Sequence, residues 1–175
     1  MQKNNDVDIR WRSFLLRPPG SPPMSPERRA QLEASRPLFQ KRAREQYGLE
    51  VNSGPIGINS RPALVAEKYA ESEGKGAAFH RAVMQAYWQQ ARSIDKQEVL
   101  KEIAANVGLN TDNFSALLEN PQFNAEVDDD IALANEYGVD GVPALVFANK
   151  YLVVGAQPYD VLKRVIERVQ DESTE

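Results

Sequence analysis

The sequence predicts a mixed α/β fold: a strand, a long helical middle, a β-hairpin and a closing helix. Three observations carry that expectation. Near the N-terminus Val7, Ile9 and Trp11 alternate with charged residues, which is the two-residue period of a strand. From Ser25 to Gly138 apolar residues recur at three and four, punctuated by proline and glycine at helix boundaries. In GVDGVPALVFANKYLVVGAQP, Gly138 to Pro158, two short apolar runs flank a polar turn, the pattern of a tight hairpin.

Composition narrows the class. A chain of 175 residues with 42% hydrophobic content is long enough to bury a core as one domain. A net charge of −4 supplies no basic footprint, so no nucleic-acid partner is expected. No apolar run approaches the ~20 residues needed to span a bilayer. The opening MQKNNDVDIRWRSFLL is polar and then alternating, unlike an export signal, so a cytoplasmic setting is the default. There is no cysteine and a single histidine. That leaves no disulfide, no thiolate chemistry in the chain itself, and no expectation of a metal or cofactor.

The elements follow in order. Val7 to Leu16 reads as a strand, and Arg17 to Pro26, half proline, as an extended loop. Ser25 caps a helix with Pro26 in its first turn, and Pro37 is expected to kink or divide that helix before it stops at Gly48. After a second loop with an Asn59-Ser60 cap, helices are expected over Arg61–Glu73, Ala77–Ala91 and Asp95–Val107. Asp95 is read as the cap of the last of these, with Glu98 three residues on. A turn around Thr111–Leu118 leads to a helix opened by Pro121, with Phe123, Val127 and Ile131 at a spacing of four. Strands Ala144–Ala148 and Tyr151–Gly155 flank Asn149-Lys150. Pro158 starts a last helix with Val161, Leu162, Val165, Ile166 and Val169 inward, and the tail Asp171–Glu175 is solvated.

The chain enters the first hairpin strand through Val142-Pro143. Proline removes a ladder donor, so it belongs at a first residue, an edge or a bulge. This order of elements is that of a thioredoxin-like domain with a helical insertion. GVDGVPALVF (Gly138–Phe147) resembles the cis-proline approach of the DsbA family. IRWRSFLLRP (Ile9–Pro18), NSRPA (Asn59–Ala63), AYWQQARSIDKQEVLKEIAANVGL (Ala86–Leu109) and GAQPYDVL (Gly155–Leu162) resemble its FrnE-like branch. The resemblance runs in order along nearly the whole chain. It implies a single domain over 1–175, with 1–17 and 139–175 as the thioredoxin-like part and 25–138 as a mainly helical insertion.

Family members open with a strand, a Cys-x-x-Cys turn and a helix, placed before the strand that opens this sequence. The resemblance therefore implies an N-terminally truncated relative of a thiol–disulfide oxidoreductase with nowhere to map the nucleophile. The family's residues carry over at Val142 and Pro143, expected to be joined by a cis bond and to offer backbone hydrogen bonds to an extended peptide. No catalytic residue is assigned. Three classes stay open: an oxidoreductase completed from elsewhere, a non-catalytic peptide-binding module, and a relative of glutathione-dependent 2-hydroxychromene-2-carboxylate isomerases. The absent strand would leave Val7–Leu16 and Ala144–Ala148 as two unpaired edges. Direct closure of one on the other, or a homodimer, is expected to satisfy them.

The remaining constellations read as structure. His80, beside Arg81, is a surface or half-buried histidine, and Asp128, Asp129 and Asp130 lack the spacing of a calcium loop and read as a solvated face. Lys41, Arg42 and Arg44 are the same. Tyr87 and Trp88 are core aromatics of the helical part, with a role in lining a substrate cleft as the sharper alternative.

Overall fold

The computed structural model describes residues 7–18 and 20–172. The polar first six residues, Pro19 in the proline-rich loop, and the expected solvated tail from Ser173 onward lie outside them. Seven helices and one hairpin are found among the described residues: α1 (Pro26–Tyr47), α2 (Arg61–Ser72), α3 (Gly76–Trp88), α4 (Gln97–Asn106), α5 (Phe114–Leu118), α6 (Pro121–Glu136), β1 (Ala144–Phe147), β2 (Tyr151–Val154) and α7 (Tyr159–Glu172). They divide into two compact units, 17–127 and 1–16 with 128–175, the division falling within α6.

The helical unit holds the larger core. Phe79, Val83 and Ala86 of α3 pack with Ala63, Ala66 and Ala70 of α2 and with Leu100, Ile103 and Ala104 of α4, and Phe114 closes the cluster. Alanines on α2 let its neighbours approach closely, while Phe79, Phe114 and Leu100 supply buried volume at roughly 25 cal/mol per Å². The N-terminus of α1 is capped as expected, with the Ser25 hydroxyl accepting from the Arg28 N–H. Its C-terminus ends on Gly48 at φ 64°, a conformation that costs glycine nothing.

One local expectation fails in this unit and another is narrowed. Pro37 does not divide α1, which runs unbroken for 22 residues, so of the two expected outcomes only a kink is left. The bond it forfeits lies on an exposed stretch of the helix, where the orphaned carbonyl is open to solvent. Asp95 does not cap α4. The capping position falls on Lys96, and Asp95 instead accepts a hydrogen bond from the Ser93 hydroxyl. At α2, Asn59 rather than Ser60 supplies the side chain, its Oδ1 accepting from the Arg61 N–H at 3.0 Å.

In the second unit β1 and β2 pair antiparallel in a two-stranded sheet, with Ala144 opposite Val154 and Phe147 opposite Tyr151. The loop is one residue longer than expected, because Ala148 joins Asn149 and Lys150 outside the strands. Phe147 O accepts from Lys150 N–H, and Ala148 and Asn149 between them are both at positive φ (50° and 56°). The connection is thus a three-residue loop, Ala148-Asn149-Lys150, with its first two residues in the left-handed region. α7 packs on this hairpin through Tyr151, whose ring lies beneath Arg168 and whose hydroxyl bonds Glu172.

Val7–Leu16 forms no strand. It makes no ladder, and Ile9 and Trp11, which carry the strand-like alternation, are 41% and 61% exposed. Nor does this segment close directly onto β1, which pairs with β2 alone among the described residues. The reason is a tether. Asp130 of α6, expected on a solvated face, is buried, and its carboxylate accepts from the Ser13 N–H at 2.8 Å and from Arg12 Nη1 at 3.0 Å. With Ser13 and Leu15 buried and held there, the segment cannot shift by the ~4.8 Å of a strand spacing.

Candidate functional site

The register of the hairpin decides which backbone groups are available. Gly155 N–H donates to Pro143 O at 2.8 Å, so Pro143 faces β2 in a hydrogen-bonded position. Antiparallel ladders alternate, so Leu145 and Phe147 also turn their N–H and C=O toward β2. Ala144 and Val146 turn theirs the other way. No strand meets them among the described residues. Proline at the strand entrance therefore removes a donor only from the satisfied side, and the outer edge keeps its donors.

The same parity sorts the side chains. Leu145, Phe147, Tyr151 and Val153 share the face on which Tyr151 meets α7. Ala144, Val146, Leu152 and Val154 share the opposite face, where Val154 is 47% exposed, and Val142 just before the strand is 53% exposed. The Val142–Pro143 bond is cis. From Gly141 to Asn149 there is no charged residue. The result is an uncharged, apolar, open strand edge, a template for another strand.

The far end of the hairpin is charged. Glu172 of α7 accepts from Lys150 Nζ at 2.6 Å and from Arg168 Nε at 3.2 Å, besides its bond with Tyr151. These bonds, Lys150 first, then Tyr151 and Arg168, hold the Glu172 carboxyl down at about 2. They hold the C-terminal turn of α7 against the hairpin turn, which orients β1.

Tyr87 and Trp88 lie at the C-terminal end of α3, in the helical unit, whereas Val142 and Pro143 belong to the other unit. The loop before α2 is strapped over this helix end: Asn52 N–H donates to Trp88 O at 2.7 Å, and Gly54 N–H to Tyr87 O at 2.6 Å. Arg36 and Gln40 of α1 tie the same loop by donating to Gly54 O and Val51 O at 3.0 Å. The Tyr87 hydroxyl donates to Pro55 O at 3.0 Å, and burial pushes its pKa up. Tyr87 is thus a fastening of the loop. Trp88, 41% exposed, stacks edge-on with Tyr87 and at a tilt with Phe39 of α1. A shallow recess of about 350 Å³ elsewhere in this unit, lined by Tyr69, Phe123, Leu117, Glu73 and Asp112 among others, contains none of the four residues singled out from the sequence.

His80 is half-buried, its Nδ1 2.7 Å from Glu67 Oε1. The hydrogen bond with Glu67 raises its pKa against the opposing effect of burial, with a further Coulombic contribution from Glu67 and Glu71. Two groups escaped the sequence reading. Asp130 hid in a run of three aspartates, although it lies on the helical stripe of Phe123 and Val127, at i+7 and i+3. Arg36 carried no signal, because nothing local marks a side chain whose partners are carbonyls of a distant loop.

Residues 1–167 match the family model of the DSBA-like thioredoxin domain. The chain belongs to this family. The DsbA-like chain is 25% identical over 171 residues to the uncharacterized protein YwbO of Bacillus subtilis (strain 168), covering 96% of this chain and 85% of that one. It is 31% identical over 113 residues to the ClpXP adapter protein SpxH of Shouchella clausii, covering 60% of this chain and 38% of that one. Among solved structures it is similar to a probable DsbA oxidoreductase of Streptomyces coelicolor, with TM-score 0.70, 26% identity, 85% of this chain and 63% of that chain. A 2-hydroxychromene-2-carboxylate isomerase superposes with TM-score 0.68 over 83% of this chain and 70% of that one; at 21% identity this bears on the fold alone. The thioredoxin-like α/β class expected from the sequence is therefore the fold of this DsbA-like chain. No helix among the described residues is long and apolar enough to cross a membrane.

Proposed function

We propose that this DsbA-like chain is the polypeptide-holding part of a thiol–disulfide oxidoreductase, binding an extended segment along Val142–Val146 and performing no thiol exchange by itself. The observation that supports it is the outer edge of β1: the backbone groups of Ala144 and Val146 are turned away from β2, and Val142 just before the strand is exposed. Strand addition uses such groups for affinity and leaves side-chain pockets to set preference. An uncharged edge favours a guest whose contacting residues are apolar or hydroxylic, because a charged side chain laid on it would lose hydration without gaining a partner. Thiol exchange requires an attacking thiolate, and the sulfurs of this chain are in three methionines.

Two measurements test the reading. A labelled, cysteine-free peptide of alternating valine and threonine should bind saturably in fluorescence anisotropy at low chain concentration. Ala144→Pro, which deletes an outward donor and leaves the β2 ladder whole, should weaken it about 2- to 10-fold, the worth of one net hydrogen bond. Absence of saturable binding, or indifference to Ala144→Pro, overturns the holding role. In an insulin-reduction assay with dithiothreitol the chain should not exceed the uncatalysed rate, and turnover above it overturns the second half of the reading.

A further inference from the structure

We propose that the recess between α2, α5 and the start of α6 receives an arginine side chain presented by a partner polypeptide, its guanidinium taken by Glu73 and Asp112 beside the rings of Tyr69 and Phe123. The inference stands on residues 69–123 of the helical unit and does not need the peptide-holding role of β1. The apolar part of the recess is aromatic. The Tyr69 and Phe123 rings lie 5.9 Å apart between centroids at a tilt of 53°, with Leu117 of α5 beside them. The Tyr69 hydroxyl donates to Asn110 O at 3.0 Å, and the Asp112 N–H donates to Asn110 Oδ1 at 2.7 Å. One residue thus fixes both the ring and the loop that carries Asp112, so little ordering is left to be done on binding.

Every charged group in the lining is a carboxylate. Glu73 follows the last residue of α2, where the terminal carbonyls of the helix also favour a cation. From Leu109 to Val127 the chain carries Asp112, Glu119 and Glu126 and no lysine, arginine or histidine. Lys75, the basic residue nearest Glu73 in sequence, gives its ammonium to Gly108 O. Neither Glu73 nor Asp112 has an ion-pair partner among the described residues. The Tyr69 phenol registers this field: burial first, then the charge of Glu73, push its pKa up. Carboxylates next to aromatic rings select a guanidinium over an ammonium, because it is planar, offers a fork of donors, stacks on rings and is the more weakly hydrated. At about 350 Å³ the recess is at the small end of ligand sites, and it is shallow, so it does not enclose a free molecule as such sites do. A side chain carried on a polypeptide needs only its stem and tip covered.

The probe is a blocked glycine-arginine-glycine peptide titrated into nitrogen-15-labelled chain. The amide signals of Glu73, Asp112 and Asn120 should shift saturably, and added salt should weaken the binding. The citrulline peptide, of the same shape without the charge, should bind about fivefold more weakly or worse, and ethylguanidinium, the same cation without a backbone, more weakly than the arginine peptide. Glu73→Gln with Asp112→Asn should weaken arginine-peptide binding about 5- to 30-fold, the worth of two exposed ion pairs. Both positions are exposed. If the double variant nevertheless loses its fold by circular dichroism, the citrulline comparison on the unaltered chain decides alone. The absence of a saturable shift, a citrulline peptide that binds as well, a folded double variant that binds unchanged, or ethylguanidinium binding as tightly as the peptide overturns the proposal.

Discussion

Replacing Asp130 with alanine should destabilise the protein by about 2–4 kcal/mol. The carboxylate is 3% exposed and accepts two bonds, from the buried Ser13 N–H at 2.8 Å and from Arg12 Nη1 at 3.0 Å. A hydrogen bond to a charged group contributes roughly 1.5–3 kcal/mol, and a buried N–H left unpaired costs about 1–3 kcal/mol, overlapping quantities rather than additive ones. Arg12 adds little, because its side chain is 53% exposed and surface pairs contribute about 0–1 kcal/mol. The three variants are therefore ordered. Asp130→Ala costs most; Asp130→Asn, which can still accept from Ser13, costs less; Arg12→Ala costs at most about 1 kcal/mol. Urea unfolding measures the order, and amide exchange of Ser13 localises it, since that proton loses its partner only in Asp130→Ala. If Asp130→Ala falls within about 0.5 kcal/mol of the parent, the range of ordinary surface changes, the tether is not what holds residues 12–15 in place.

Three further outcomes are expected. Gly54→Ala should lower stability by about 1–3 kcal/mol in thermal or urea unfolding, because the added Cβ would sit 2.6 Å from Arg92 O and 2.7 Å from Tyr87 Cδ2, and overpacking of this kind has that cost; an unchanged midpoint contradicts it. Ala148→Gly should stabilise by up to about 1 kcal/mol, since φ of 50° strains alanine by roughly 1–2 kcal/mol and glycine returns part of that as unfolded-chain entropy; destabilisation in urea unfolding refutes the turn assignment. His80, with its pKa raised chiefly by the Glu67 hydrogen bond, should contribute stability that is fully present below about pH 6.5 and is lost as pH rises through its folded-state value. Glu67→Gln should flatten that dependence in unfolding measured across pH 5–9, and an unaltered slope would place its origin elsewhere.

What sequence alone determined about this protein is local in origin. The start of α1 at Ser25–Pro26 and its end at Gly48 follow from capping chemistry within a few residues, as does the amphipathic pattern of α3 and α7. The hairpin after Val142-Pro143 was legible for the same reason, and with it the family, because its motifs are contiguous. The loop gained Ala148 because the ladder ends at Phe147–Tyr151, although propensity disfavours alanine at the positive φ it takes there. What only the tertiary structure decided is non-local. A strand exists only if another strand takes its hydrogen bonds, so Val7–Leu16, with a strand's alternation, makes no ladder and is tethered by Asp130. The role of Asp130 needed a partner 117 residues away, and the loop fastening by Arg36 and Tyr87 needed carbonyls 18 and 32 residues away. The outward edge at Ala144 and Val146 is likewise a statement about which side of β1 its neighbour occupies, and no pattern within β1 specifies that side.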